Sequence, residues 1–391
     1  MSRSSGSLAW SFAIIALVLT PDARAKDASV VFHPAEETKF PAVTVDSDGV
    51  VHLTYVATRA GSTIADVFHS SSRDGRQWDE DVNVSNGAGA SFDPAIVAGP
   101  RGEVIVAWAE SFGGAPDIFA AISTDHGKTW AKPENVSHTP THSTGPALGI
   151  APDGSVHLVW SDIGVQGRSD IWHSELRDGE KTWSPPENIS HTPGSSSATE
   201  IACGPNGRIA VTWGDATGGS ESQSDIWFTL STDGGKSWSP PRNLSNTPGV
   251  SANPSVAIDE EGRIHVAWDD APLGDLSPDI FFLTSSDGKT FEPSQNISRT
   301  AGTSSNPEVA TEAEKIALAW VDIGPKQKTP DIWFSWSADR GHTFKEAQNV
   351  THSPGLCSSP DVVIAQGKAV LVWEEVEHFL SHIHTMVVPL K

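Results

Sequence analysis

The segment Pro254–Ser298, PSVAIDEEGRIHVAWDDAPLGDLSPDIFFLTSSDGKTFEPSQNIS, decides the fold. Pro254–Ile258 and Arg263–Trp268 alternate apolar and polar residues, the period of a half-buried strand. Asp259–Gly262 turns the chain between them. Asp279–Phe282 opens a third strand, Ser286–Lys289 makes a tight turn, and Gln295–Ser298 is the fourth. The unit reads as a four-stranded meander with proline at the first residue of its first strand, where no ladder N–H is lost.

The same unit recurs along the chain. The aromatic that ends the second strand stands at Tyr55, Trp108, Trp160, Trp213, Trp268, Trp320 and Trp373, with spacings of 53, 52, 53, 55, 52 and 53. A second series, Trp78, Trp130, Trp183, Trp238, Phe291 and Phe344, is spaced by 52, 53, 55, 53 and 53. Pro41, Pro94, Pro146, Pro307 and Pro360 hold the place of Pro254. Two independent series sharing one period establish a repeat, and four-stranded units of this length suit a β-propeller rather than a stacked solenoid. The last unit ends after a third strand near His382–Val388. Ser29–His33 has the spacing to Pro41 expected of a fourth strand. The N-terminal strand is therefore expected to complete the last blade and remove an open sheet edge. This all-β reading gives seven blades, with six plus a stray hairpin as the alternative.

Residues 1–25 have the three parts of a cleavable signal peptide: Arg3, the apolar run Leu8–Leu19, and Ala23-Arg24-Ala25 before a cut at Lys26. The run is shorter than the ~20 residues that span a bilayer. The expectation is a secreted or periplasmic protein without membrane insertion, with residues 26–391 forming one propeller domain. A formal net charge of −23 repels nucleic acid and anionic membrane surfaces. Cys203 and Cys357 fall at different points of the repeat, too few for a disulfide scaffold, and their pairing stays open.

The turn between third and fourth strands carries a motif. Ser123-Thr124-Asp125-His126-Gly127-Lys128-Thr129-Trp130 matches Ser/Thr-x-Asp-x-Gly-x-x-Trp/Phe in full, as do Ser231–Trp238 and Ser337–Phe344. Ser71–Trp78 and Thr284–Phe291 keep Gly75 and Gly288 and shift the acid to Asp74 and Asp287. Leu176–Trp183 keeps Asp178 with Glu180 in place of glycine. In these residues the chain resembles the Asp-box (BNR-repeat) propellers of the sialidase-like superfamily. The box reads as a structural device, in which Asp74, Asp125, Asp178, Asp233, Asp287 and Asp339 accept N–H bonds within the turn and the aromatic packs beneath. The Asn-x-Ser/Thr triplets beginning at Asn83, Asn135, Asn188, Asn243, Asn296 and Asn349 keep a fixed place in the repeat and read as repeat chemistry rather than glycosylation acceptors.

The resemblance implies what sialidase chemistry would need: three arginines on the substrate carboxylate, a tyrosine nucleophile activated by glutamate, and an aspartate acid/base. Tyr55, the chain's single tyrosine, stands where other units have Trp, so its role reads as packing. No Arg-Ile-Pro motif is present, and Arg208 and Arg263 fall on the Asp-box face. The expectation is a non-catalytic module that binds a glycan or protein on the face opposite the Asp boxes. The alternative is a glycoside hydrolase of the same superfamily, either an exo-sialidase or another carboxylate-based glycosidase. No cofactor is required on this reading, with Ca²⁺ or Zn²⁺ as candidate metals.

Two acids recur in the typical unit: one two residues after the key aromatic (Glu110, Asp162, Asp215, Asp270, Asp322, Glu375) and one before the third strand (Asp66, Asp117, Asp170, Asp225, Asp279, Asp331). They either tie their own loops or form an acidic rim able to hold Ca²⁺ or a basic partner. The pattern breaks in units one and seven, which closure makes neighbours. This singles out Arg59, Glu375, Glu377, His378, His382 and His384 as candidate ligand-binding residues, with decay of a terminal blade as the alternative. His382 and His384, two apart on one side of a strand, are candidate metal ligands or acid/base groups. His52, His157 and His265 share one strand position and read as structural.

Overall fold

The second strand of each unit is buried along nearly its whole length, as in Val51–Thr58, Val104–Ser111 and Ile264–Ala271. A strand covered on both faces needs a sheet on each side, and a ring of radial sheets supplies it. The structure, a computed structural model, describes residues 29–30, 37–58, 62, 64–87, 89–164, 167–177, 179–180, 182–192, 194–216, 224–272, 277–325 and 327–391. Its strands form seven four-stranded antiparallel sheets, so the propeller has seven blades and not six. Blade 1 runs outward through Thr38–Val45, Val51–Thr58, Ala65–Ser72 and the short Val82–Asn83. Blade 7 takes Leu356–Ala365, Lys368–Glu377 and Leu380–Pro389 from the C-terminal end. Its outer strand is Ser29–Val30, with Ser29 opposite Thr385 and Val30 opposite His384. Closure by the N-terminal strand is thus observed; Val31–His33 lie outside the described residues. None of the described helices is long and apolar enough to cross a membrane.

The core consists of layers between blades. Trp160 of blade 3 packs with Ile105, Ala107 and Ile118 of blade 2. At the seam, Val43, Leu53 and Tyr55 of blade 1 pack with Val370, Val372 and Ile383 of blade 7. Closure therefore rests on apolar burial as well as on strand pairing.

The inner strands depart from expectation. Each begins about four residues before its proline, as in Val250–Ile258 around Pro254. A β-bulge interrupts all seven ladders at this point. The residue before the proline site has positive φ in every blade: Phe40, Asp93, Gly145, Ala198, Asn253, Asn306 and Ser359. The proline sits at a bulge, where its missing N–H costs no ladder bond.

In blade 2, Asp125 accepts bonds from the Ser123 hydroxyl and the Thr129 amide, each at 2.8 Å, and from the Thr129 hydroxyl at 2.6 Å. The Thr129 and Ser123 hydrogen bonds bring its carboxyl down to about 2. In the two shifted boxes the hydroxyl is Ser72 and Ser285, not Ser71 and Thr284, so the Ser-x-Asp core survives and one residue before the glycine is deleted. Asp178 lies outside the described residues. The Asn-x-Ser triplets clasp the acid before the third strand: Asn135 Nδ2 and Ser137 Oγ donate to Asp117 at 2.9 and 2.8 Å. The second acid series staples the fourth-to-first loop. Asp162 accepts from Thr139, Thr141 and Ser143 at 2.5–2.8 Å, and Asp322 accepts from Thr300 and Ser304. The recurring acids are therefore loop ties and not a free rim.

Two outcomes follow. Replacing Asp162 by Ala removes the acceptor shared by three hydroxyls, of which Thr139 and Ser143 can still bond each other at 2.9 Å, and should cost about 2 kcal/mol in urea unfolding; an unchanged midpoint would disprove the staple. Truncating the chain just before Glu37 removes the outer strand of blade 7 and should lower Tm by several degrees while leaving the propeller folded, since the blade 7–blade 1 core remains. An unchanged Tm would mean that Ser29–Val30 does not close the ring in solution.

Candidate functional site

Because the inner strands enter from the face opposite the Asp boxes, their bulges line the mouth of the central channel on that face. A cavity of about 410 Å³ lies there, walled by residues from six blades around the proline positions. At the position after the proline site, the blades carry Ala42, Ala95, Ala147, Glu200, Ser255, Glu308 and Asp361. Three carboxyls thus project from blades 4, 6 and 7 where the others carry small side chains. Sequence reasoning missed them, although Glu200, Glu308 and Asp361 break the small-residue pattern and blade 4 also replaces the proline with Thr199.

These carboxyls hold their protons abnormally well. Burial, with the charge of Asp361 behind it, pushes Glu200 up to about 8. Burial raises Asp361 to about 7, although the Val43 and Val362 amides donate to it at 2.7 and 2.6 Å. Glu308 is raised well above the ordinary range by burial and by its two acidic neighbours; Ser255 Oγ donates to it at 2.9 Å. Asp269, bonded by Asn253 Nδ2 and the Asn306 amide, is raised by burial to about 6. Asp93, also in the wall, is raised by burial. No Lys or Arg is among the lining residues. Carboxyls kept neutral near pH 7 beside others that ionise are the raw material of acid/base catalysis.

A second cluster sits on the Asp-box face between blades 1 and 2. Asp46 Oδ2 lies 3.3 Å from His52 Nε2 and 3.1 Å from His126 Nδ1. The ligand atoms of Asp46, His52 and His126 all lie within 4.8 Å of one another, the geometry of a metal-ligand set. Two imidazoles and one carboxylate suit Zn²⁺; Ca²⁺ prefers six to eight oxygens. His52, read above as structural, thus belongs to a group with ligating geometry. Its other nitrogen meets His69 Nε2 at 3.1 Å. Burial lowers the pKa of His52, and burial together with His52 brings His69 to about 3. The equivalent place between blades 5 and 6 holds Asp259 and His265, 3.4 Å apart, with Arg340 at 4.0 Å where His126 would be. There a guanidinium supplies the positive charge.

The seam between blades 7 and 1 is partly assembled. His384 Nε2 lies 3.7 Å from Glu375 Oε2 and its ring stacks on Trp373. Glu375 also accepts from Ser353, the same loop tie that its repeat equivalents make. His382 is opposite Glu375 in the ladder, while Glu377 and His378 lie at the hairpin end. Arg59 falls outside the described residues. Tyr55 is 1% exposed and stacks on Phe68 at 5.9 Å, as a packing residue should. Arg208 donates to the carbonyls of Gly262 and Ser286 on the Asp-box face. Cys203 and Cys357 are unpaired thiols in blades 4 and 7.

The expectation of a non-catalytic module is corrected by the relatives of this fold and by the chemistry found in it. The chain is similar to a structure of a polysaccharide lyase of family PL25, an ulvan lyase (13% identity, TM-score 0.60, covering 94% of this chain and 96% of that one). It is similar to a Hadza microbial sialidase (15% identity, TM-score 0.54, covering 90% and 66%). It is also similar to a protein of unknown function from Dyadobacter fermentans DSM 18053 (17% identity, TM-score 0.59, covering 94% and 99%). At these identities the likeness is one of fold. Together with the Asp/His/His group, however, it removes the ground for reading the chain as no enzyme. No curated protein sequence matches the chain. The family model described as BNR repeat-like domain matches residues 18–266, well over half of the sequence, and the chain belongs to that family.

Proposed function

We propose that the chain is an exported, glycan-cleaving enzyme of the carboxylate-based glycoside hydrolase type, working at the channel mouth opposite the Asp boxes. The observation that carries this is the convergence of Glu200, Glu308 and Asp361, all with raised pKa, in one cavity. Glu200, protonated at neutral pH, is the general acid that delivers a proton to the glycosidic oxygen. An ionised neighbour, with Asp361 the first choice, attacks the anomeric carbon or activates a water against it. A sialidase mechanism of the tyrosine type finds no support, because the one tyrosine is buried in a second strand. The carbohydrate-cleaving activities named for proteins of the same fold support the reaction class, and the signal-peptide pattern supports export.

Purified mature protein assayed against fluorogenic neutral glycosides and polysaccharides should release product. The rate should fall as pH rises through about 8, where Glu200 loses its proton, and fall again as pH drops below about 7, where Asp361 gains one. Glu200→Gln should lower kcat about a hundredfold or more. Stability gives an independent check. A carboxyl whose folded pKa is raised costs stability as pH climbs from its unfolded value through its folded one. Glu200→Gln should therefore match the wild-type Tm near pH 4 and exceed it at pH 8.5. A variant no more stable at pH 8.5 would show that Glu200 is not held neutral, and the assignment would fall.

The Asp46, His52 and His126 group supports a second, separate role as a structural Zn²⁺ site joining blades 1 and 2. Zn²⁺ added to chelator-treated protein should raise Tm in the wild type and leave His126→Ala unmoved. Equal responses in both would remove this reading without touching the channel.

A further inference from the structure

Among the described residues, the large apolar side chains exposed to solvent are Phe40, Ile64, Phe112, Ile163, Ile323, Leu356, Phe379 and Leu380. All stand at the ends of second strands, the starts of first or third strands, or in the loops joining them. They therefore share the face onto which the channel opens. Their weight falls on three adjacent blades: Phe379 and Leu380 on blade 7, Phe40 and Ile64 on blade 1, and Phe112 on blade 2. Phe379 is 93% exposed and Phe112 is 64% exposed. Phe112 stands on Phe119, ring centres 5.9 Å apart in an edge-to-face contact, which braces it.

The display of Phe379 runs against the local backbone preference. Glu377 pairs with Leu380, so His378 and Phe379 are the two central residues of a tight hairpin turn. Their φ values are 51° and 68°, both left-handed. Such a turn favours Asn-Gly, and a bulky aromatic at its second position is disfavoured. Outliers of this kind collect at functional sites. The hairpin is also tied to the channel lip. Ser381 Oγ lies 2.9 Å from Thr38 O and 2.7 Å from Glu374 Oε1, with one proton to share between them, and Glu374 Oε2 accepts from the Phe40 amide at 3.4 Å. Phe40 is itself part of the cavity wall. The apolar arc is therefore continuous with the cavity.

We infer that Phe379, Phe40 and Phe112 form a platform that seats an uncharged polysaccharide chain as it enters the channel. This rests on the glycan-cleaving reading and names its substrate class. A sugar ring offers an apolar C–H face to an aromatic plane and hydroxyl donors to carboxyl oxygens, and this face supplies both partners side by side. Among the described residues, the cavity wall has several acids and no Lys or Arg, which disfavours an anionic polymer or a lipid headgroup. Phenylalanines spread over three blades match a chain of several sugar units better than a single terminal sugar.

The test uses the mature chain, in Glu200→Gln form where turnover must be blocked, in affinity electrophoresis through arabinan, galactan, xylan and mannan, with polygalacturonate as the anionic control. Phe379→Gly removes the ring while giving the turn its preferred residue. It should hold or raise Tm, yet weaken retention by a neutral polymer at least fivefold. Phe379→Trp should restore retention. The inference is overturned if no neutral polymer retards the wild type, if only polygalacturonate does, or if Phe379→Gly binds as the wild type does. It is also overturned if Phe379→Gly merely converts a dimer to monomers in sedimentation. Retention lost in Phe379→Gly with no cleavage ever found would defeat the catalytic reading and leave this one standing.

Discussion

The propeller depends on covering each second strand from both sides. Trp108, Trp160, Trp213 and Trp320 have no exposed surface, and each packs into a layer shared by two blades. A single blade is one sheet and covers neither face of such a strand, so no blade is a stable object alone. Burial of a large aromatic stabilises by roughly 2–3 kcal/mol, and the ring repeats that gain at every junction. This constraint explains why blade 7 borrows a strand from the other end of the chain. Without closure, blades 7 and 1 would each expose an apolar face, and blade 7 an open sheet edge as well.

Once the outer three strands are fixed by this packing, the inner strand is left to adapt. The bulge at its start, with one left-handed residue in each of seven blades, turns the strand so that the next side chains look into the channel. The channel lining is therefore free to vary without disturbing the interblade layers. Alanine fills three of the seven places after the proline site, and carboxyls fill another three. The site arises from substitutions at a position the fold does not need.

This explains which parts of the molecule could be read from its sequence. The aromatic spacing of about 53 residues and the Asp boxes report the packing constraint directly, so blade number, strand order and closure were legible. The bulge was not, because Pro254 and its equivalents look alike at the start of a strand and just past a bulge. Glu200, Glu308 and Asp361 escaped notice for a related reason. One acid in a chain carrying 49 Asp and Glu residues draws attention only when three blades are known to point it at one space. His126 was hidden inside an Asp box, where the variable position of the motif reaches the turn of the preceding blade and meets Asp46. The seam residues Glu375 and His384 stand 3.7 Å apart, yet Glu375 also makes the ordinary loop tie of its repeat.

Carboxyls on the two faces of the ring are shifted in opposite directions. Asp46, Asp74, Asp125, Asp233, Asp259, Asp287 and Asp339 lie in turns of the Asp-box face, and hydrogen bonds hold each below the ordinary carboxyl range, outweighing burial where it opposes them. Such groups stabilise the fold at neutral pH and lose that contribution only as pH falls towards their lowered values. Asp93, Glu200, Asp269, Glu308, Asp322 and Asp361 lie in the channel or on the opposite face, and burial raises every one. Raised carboxyls of this kind cost stability as pH climbs from their unfolded values through their folded ones, a cost that Asp322 offsets by tying its loop and that Glu200 does not offset in this way. Exposed phenylalanines add to the same face, one of them on a disfavoured turn. A structure that ties its loops with bonded acids on both faces, yet buries a group of carboxyls against their charge at the channel, is divided between holding its shape and acting on something. The strained side is where a ligand would repay the cost.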